Sequence, residues 1–426
     1  MIAAKHLLHL ARHGLLFSAA KFVVLAAPLL AAGLLSKTLY GTVEWWLSIA
    51  SALGPILAFG APGVIAYSTI RNEKSNDVRI AVQYSTGISA ALASVACIFW
   101  LFDFELSDSN SALIALLCAV IVVQVALAAR LKALGKGAWA SLIEGTVYIC
   151  LISAVMINYG GFDFTKSLIS MLTFGWLILV FVIIWHNPST FVTTSPEDEL
   201  LKFFKVGVRF MVAGALMGLF MTMPRMALGI LSGPNHVAAF ALDFRWLSIS
   251  IAAHQFINTV YFIKIFAATS DRQRDILQAI TIYIVAFGNL CIIAFLQLIQ
   301  KLDTGIPAPE SLDQAWIFAI AMVLWSTTSC LEGNLQRHNA NAAQIRSVLW
   351  GIVVVTTGSL VLSLAEYNNS IVAMSYIWTA GFLAIILAQL RAMKLLKRTT
   401  IRLRQATFVS IILLFSIGYI YIQPST

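Results

Sequence analysis

Charge is what this 426-residue chain has least of: Asp, Glu, Lys and Arg make up 11% of it, against about 25% in an ordinary soluble domain. With 60% hydrophobic residues and a mean hydropathy of +0.87, it cannot build a solvated surface, so a water-soluble fold is excluded. Long polar loops are missing as well. The longest, His186–Lys205, is too short for a soluble catalytic domain, which argues against a membrane glycosyltransferase or a polysaccharide polymerase. No HExxH pair, nucleophile triad, P-loop or glycine-rich phosphate cradle occurs. The chain is therefore not expected to be an enzyme or to carry a cofactor or metal. Any uphill step would draw on an ion gradient, the membrane potential or downstream assembly. Cysteines are few. Cys97, Cys118, Cys150, Cys291 and Cys330 are scattered through apolar segments without a CxxC, a pattern of buried thiols rather than disulfides or metal ligands.

What is present is membrane. Apolar stretches near 20 residues recur, each long enough to cross about 30 Å of hydrocarbon. Candidate spans lie near 14–36, 42–70, 80–102, 111–131, 138–159, 167–186, 203–228, 237–268, 277–299, 314–333, 347–366 and 371–391, with a weaker thirteenth at 406–422 that could cross the membrane or lie along its surface. The fold class is all-α: a polytopic integral membrane protein of two six-helix bundles plus a possible thirteenth segment. The expected lobes are 1–190 and 191–404, with 405–426 as the extra segment. Lys5 and Arg12 precede the first span, but no small-residue cleavage site follows it, so an uncleaved first helix is expected.

Basic residues set the orientation. With the N-terminus inside, the segments 1–13, 71–79, 130–137, 186–205, 269–276, 334–346 and 391–405 hold twenty Lys and Arg, while the opposite loops hold three, Lys37, Lys166 and Lys301. This is a strong positive-inside bias, so the net charge of +9 is a topology signal. The basic run at 391–404 faces anionic lipid headgroups, and nucleic acid is not an expected partner.

The halves echo one another. Leu35-Ser36 precedes Trp46-Leu-Ser-Ile49 at the second span, and Leu231-Ser232 precedes Trp246-Leu-Ser-Ile249 at the eighth. Two parallel-related six-span bundles are a common transporter plan. The run from Leu34 to Gly41 and on through Trp45-Trp46 to Pro62 resembles the first hairpin of polysaccharide-unit (O-antigen type) flippases. These belong to the multidrug/oligosaccharidyl-lipid/polysaccharide exporter superfamily. Met223-Pro224-Arg225 through Pro234, then Val237–Leu242, is similar to the end of that family's seventh span. Pro224 stands where the family's acid would be, so only Arg225 carries over.

The resemblance implies alternating-access export of an isoprenoid-diphosphate-linked oligosaccharide across the bacterial inner membrane, with the N-terminus cytoplasmic. Its implied partners are that lipid-linked substrate, membrane lipids and a polysaccharide polymerase or chain-length machinery. An ion-coupled antiporter of a small molecule or drug is the alternative.

Five cations lie inside apolar segments: Lys21, Arg209, Arg225, Arg245 and Lys264. A bare cation at mid-bilayer costs about 3 kcal/mol or more, so such residues face a protein interior or a wet cavity. A diphosphate matches them, since guanidinium groups pair with phosphate in bidentate fashion. Lys21 shares a helix face with Gly14, Ser18 and Pro28; it either faces a cavity or snorkels toward the cytoplasm. Glu44 shares a stripe with Ser48, Ser51, Pro55 and Pro62, near the outer end of its span, and is either an interface residue or a functional one. The prolines, with Gly54, Gly60 and Gly63, should kink that helix.

Placing the turn at Gly233 sets Arg225 and Asp243 at depths differing by about 3 Å, which allows an ion pair across the hairpin. Arg245 points about 160° away from Asp243 and is assigned to snorkelling. Asp243, Ser250, His254, Asn258 and Tyr261 fall within about 80° of one another. The candidate substrate-binding residues are Lys21, Arg225, His254, Asn258, Lys264 and Arg209. Asp243 and Glu144 are the candidates for ion coupling or charge pairing, and Glu332 is a further embedded acid.

Overall fold

The computed structural model describes residues 2–70, 75–101, 109–185, 197–260, 271–302, 304–309, 312–338, 340–365, 370–396 and 400–422. Among these the regular elements are helices: α1 (Ile2–Leu34), α2 (Lys37–Leu57), α3 (Ala61–Ile70), α4 (Ser75–Leu101), α5 (Ser109–Ala133), α6 (Gly137–Glu144), α7 (Thr146–Tyr159), α8 (Phe164–Trp185), α9 (Glu197–Leu231), α10 (Pro234–Val260), α11 (Asp271–Leu302), α12 (Leu312–Arg337), α13 (Asn341–Leu364), α14 (Ser370–Leu395) and α15 (Ile401–Ile422). Eleven are long and apolar enough to cross a membrane, and the count reaches thirteen if each of two bent pairs is one span. The chain is an all-α, multi-pass membrane protein. Hydrocarbon permits little else, because each backbone donor and acceptor must be satisfied within its own segment. Polar side chains inside the spans obey the same demand. Ser85 donates to the Ala81 carbonyl at 2.8 Å and Thr86 to the Val82 carbonyl at 2.9 Å, each one turn back along α4.

The expected kink in the second span is a break. α2 and α3 meet at 55°. Pro55 removes a helical N–H near the end of α2, and the chain turns through Phe59 (φ 45°) and Gly60 (φ 72°) before Pro62 restarts α3. Only glycine fits at position 60, since a Cβ there would lie 2.1 Å from the Gly207 carbonyl oxygen of α9. The Tyr84 hydroxyl donates to the Leu57 carbonyl at 3.1 Å, replacing a bond the break removed. A second bend, of 44°, separates α6 from α7 at Gly145, and the Gln124 amide caps the Glu144 carbonyl at 2.7 Å.

The contacts divide the chain into two compact units. One comprises Met1–Ser36 with Trp45–Thr222, and the other Lys37–Glu44 with Met223–Thr426. In the first, α5 is the buried centre, with 78% of its spanning window inside the protein; in the second, α12 holds that place with the same share. They are the fourth and tenth spans, equivalent positions in two six-span halves. The second unit also gathers its basic segments at one end. Asp275, starting α11, accepts from the Arg402 and Leu403 amides of α15 at 2.9 and 3.1 Å. Gln278 exchanges amide hydrogen bonds with Asn334 near the end of α12 at 3.3 and 3.1 Å.

The thirteenth segment follows the bundle. Thr407 of α15 meets Thr327 of α12 with hydroxyl oxygens 2.9 Å apart, and Gly418 lies against the Trp316 ring. The first residue of each pair advances while the second retreats, so α15 runs antiparallel to α12 for about 16 Å. It is a helix laid along a central span, not across one.

Candidate functional site

The opening turns of α2 belong to the second unit. The Thr38 hydroxyl donates to the Asn235 side-chain oxygen at 2.9 Å. Gly41 packs so closely that a Cβ there would stand 1.8 Å from the Pro234 carbonyl oxygen. This close approach at the start of α10 brings Glu44, one turn further along α2, among residues far from it in sequence. Glu44 is wholly buried. Its Oε2 accepts from Arg225 Nη1 at 2.9 Å and Arg245 Nη2 at 3.0 Å, and its Oε1 accepts from Arg245 Nε at 3.0 Å. The Tyr40 hydroxyl also donates to Oε1, at 3.4 Å. Arg245 thus forms a two-pronged fork on the carboxylate, the strongest geometry available to such a pair. The Phe244 ring lies 4.9 Å from the Arg225 guanidinium carbon and 5.8 Å from that of Arg245. Trp325 and Trp378 back that ring at 6.2 and 5.8 Å.

One expectation changes here and one open alternative narrows. Arg245 does not snorkel, and Glu44 is enclosed in protein; both are buried and joined to each other. α2 packs beside Arg245 and sets Glu44 within its hydrogen-bonding reach. That packing links residues 201 positions apart, which helical periodicity cannot reveal. Glu44 is also a carboxylate set against Arg225, and Asp243 is buried on α10 two residues before Arg245. The repeat held a usable signal: matching Trp46 to Trp246 aligns Glu44 with Phe244 and Trp45 with Arg245, so the halves differ in charge at that turn.

A second charge group lies in the first unit, at the α6–α7 bend. Glu144 ion-pairs with Lys132 of α5. Lys21 of α1 is half-buried, with its Nζ 5.7 Å from the Phe17 ring centre, and Glu144 and Lys132 are the charges that act on it. One cation pairs with the carboxylate here and a second, Lys21, lies within its electrostatic reach, without the enclosure. The Lys132 and Glu144 side chains are 49% and 29% exposed. Lys132, read from the sequence as a loop cation, is the residue this group adds.

The remaining candidates are dispersed. Arg209 is exposed on α9. His254 is buried on α10, one turn beyond Ser250, which packs against Gly288 of α11. Asn258 lies further along α10, while Tyr261 and Lys264 fall outside the described residues. Glu332 accepts from the Gln344 and Gln336 amides. Among the described residues no cluster of His, Cys, Asp and Glu is arranged to hold a metal.

No protein-family model and no curated protein sequence matches the chain. Solved structures do match. The lipid II flippase MurJ, in an inward closed conformation, superposes with a TM-score of 0.65 at 14% identity, over 97% of this chain and 94% of that one. An outward-facing multidrug resistance MATE transporter of the MOP superfamily gives 0.57 at 15% identity, over 97% and 95%. A MOP superfamily transporter from Pyrococcus furiosus gives 0.56 at 13%, over 92% and 96%. The fold is that of the MOP transporters. Coverage near the full length of both chains means that the whole MOP fold is shared rather than one bundle. At these identities the likeness is one of architecture.

Proposed function

We propose that this MOP-fold protein moves an isoprenoid-diphosphate-linked oligosaccharide unit from the cytoplasmic to the outer leaflet of the bacterial inner membrane. Two six-span lobes, 1–190 and 191–404, would alternate access, with the N-terminus cytoplasmic. The observation that carries this reading is the surplus of positive charge within the spans, and Lys21 above all. It is a partly buried cation of a candidate span, within electrostatic reach of Glu144 and Lys132, where an anionic headgroup would gain a counter-charge that hydrocarbon cannot supply. The fold shared with a structure described as a lipid II flippase supports the same direction. Arg225 is engaged by Glu44, so a phosphate role for it would require that carboxylate to let go.

A second reading is an ion-coupled antiporter of a small molecule. The MATE multidrug transporters of the same fold favour it, and Glu144, an acid at a helix break, is the residue that would carry the coupling ion. Complementation separates the two. In a flippase-null strain the protein should restore surface polysaccharide, and Lys21→Ala should insert normally yet fail to restore it. The antiporter reading instead predicts drug efflux in a sensitised strain, lost with Glu144→Gln and independent of polysaccharide.

A further inference from the structure

A groove of about 520 Å³ opens on the second unit between α12, α14 and α15, within the range of about 300–1,000 Å³ typical of small-molecule pockets. Its walls are nearly all apolar. Leu383, Leu387 and Leu390 line it from α14, and Phe408 and Ile411 from α15. Thr327 and Thr407 also line it, but their hydroxyls are already bonded to each other and to the Val323 and Leu403 carbonyls, so they ask nothing of a ligand. Polar demand is confined to one end, where Arg404 and Gln405 of the first turn of α15 enter the lining.

That end is cationic by construction. Leu383, Leu387 and Leu390 follow helical spacing along α14, and the next position of the stripe is Lys394, exposed in the last turn. Arg404 stands on the same α15 face as Phe408 and Ile411 and is exposed. Among the described residues no carboxylate pairs with either side chain. Asp275, which touches the start of α15, has both oxygens engaged by backbone amides, and no acidic residue occurs after Glu366. The Asp275 bonds also fix the helix that carries Arg404. A hydrocarbon trough ending in two unneutralised cations complements one kind of molecule in a bilayer, an anionic amphiphile.

We propose that this groove holds one anionic phospholipid, with an acyl chain lying along Leu383, Leu387 and Phe408 and the phosphate between Arg404 and Lys394. The site would tie the thirteenth helix to the bundle through a lipid of the basic leaflet. It stands independently of the transport reading.

The test is native mass spectrometry of the detergent-purified protein, after adding equal amounts of phosphatidylglycerol and phosphatidylcholine with identical chains. One phosphatidylglycerol should be retained in preference. Losing one charge-assisted phosphate contact in Arg404→Gln should weaken that preference about tenfold, and Lys394→Gln should lower it further. Leu387→Trp, which fills the trough, should reduce retention of both lipids. Arg346→Gln, on α13 outside the groove, should leave retention unchanged. Arg404 is exposed, so its variant is expected to fold, and gel filtration checks this. Equal retention of the two lipids would overturn the proposal, as would a preference that survives the Arg404/Lys394 double variant. Preferential retention of a polyprenyl phosphate would overturn it too and assign the trough to an isoprenoid tail.

Discussion

Each charge group centres on one carboxylate, bonded by two arginines at Glu44 and by one lysine, with a second nearby, at Glu144, and the two differ in what surrounds them. Around Glu44 the protein closes completely: the carboxylate is buried, both arginines are below a tenth exposed, and Phe244 covers the guanidinium planes. Around Glu144 the side chains are a third to a half open, and the helix is bent by 44°. A buried charge is tolerable only while its partners stay, whereas a half-open one can exchange a protein partner for a ligand. The first group therefore has the character of scaffold, and the second is where the proposed transport reading places its ligand. Sequence depth alone ranked Arg225 and Lys21 together. Enclosure separates them.

The sharpest way to break that contrast is Glu44→Ala, which strands two buried arginines. A loss of roughly 3–5 kcal/mol is expected from removing one member of a buried pair, visible as a collapse in membrane protein level and melting temperature. Arg245→Ala should cost less, because Glu44 keeps Arg225, and Arg225→Ala less again, because the two-pronged Arg245 fork survives. If Glu44→Ala accumulates to wild-type level, the cluster is not scaffold.

Next in size is the packing that delivers Glu44 to its arginines. In Gly41→Ala the new methyl would stand 1.8 Å from the backbone oxygen of Pro234. Backbone must then shift, and overpacking of this kind typically costs about 1–3 kcal/mol. Gly60→Ala should fall in the same range, since it combines a left-handed φ of 72° with a 2.1 Å approach to the Gly207 oxygen. Gly41→Ala should weaken the Glu44 group specifically, so adding Arg245→Ala should cost less in that background than alone. Strict additivity of the two would show that Gly41 does not position Glu44.

The fold is largely legible in the sequence. The apolar runs gave the spans, Gly233 gave the hairpin turn, and Pro55, Gly60 and Pro62 marked the break in the second span, because each of these follows from local chemistry. Partners across the chain were not legible. Depth along a helix offers Asp243 as a counter-charge of Arg225 and cannot show that the opening turns of α2 pack at the start of α10 and bring Glu44 to the same arginine. The sequence leaves Glu44 between an interface position and a functional one, since an acid near a span end ordinarily sits at the interface. Lys132 was counted as a loop cation because its position in a topology map says nothing of an ion pair with Glu144. α15 could be read as crossing or lying flat until Thr407 and Gly418 were seen to pair with Thr327 and Trp316.

The smallest structural effect should belong to the residue with the largest functional one. Lys21→Ala removes a half-buried cation whose surroundings include both an acid and a second lysine, so the charge group keeps its Lys132–Glu144 pair. Pairs as open as that one contribute about 0–1 kcal/mol, and deleting Lys21 should shift stability by no more than this. Protein level and melting temperature should match wild type. Surface polysaccharide in the flippase-null strain should nevertheless be lost, because the headgroup loses its counter-charge within the span. Lys21→Arg keeps the charge and should retain more export than Lys21→Ala, while Lys132→Ala should lower export less than either loss at position 21, since Lys132 is already occupied. Should Lys21→Ala destabilise the protein as strongly as Glu44→Ala, the half-open group would be scaffold after all. Normal export from a stable Lys21→Ala protein would leave the first unit without the cation on which the transport reading depends.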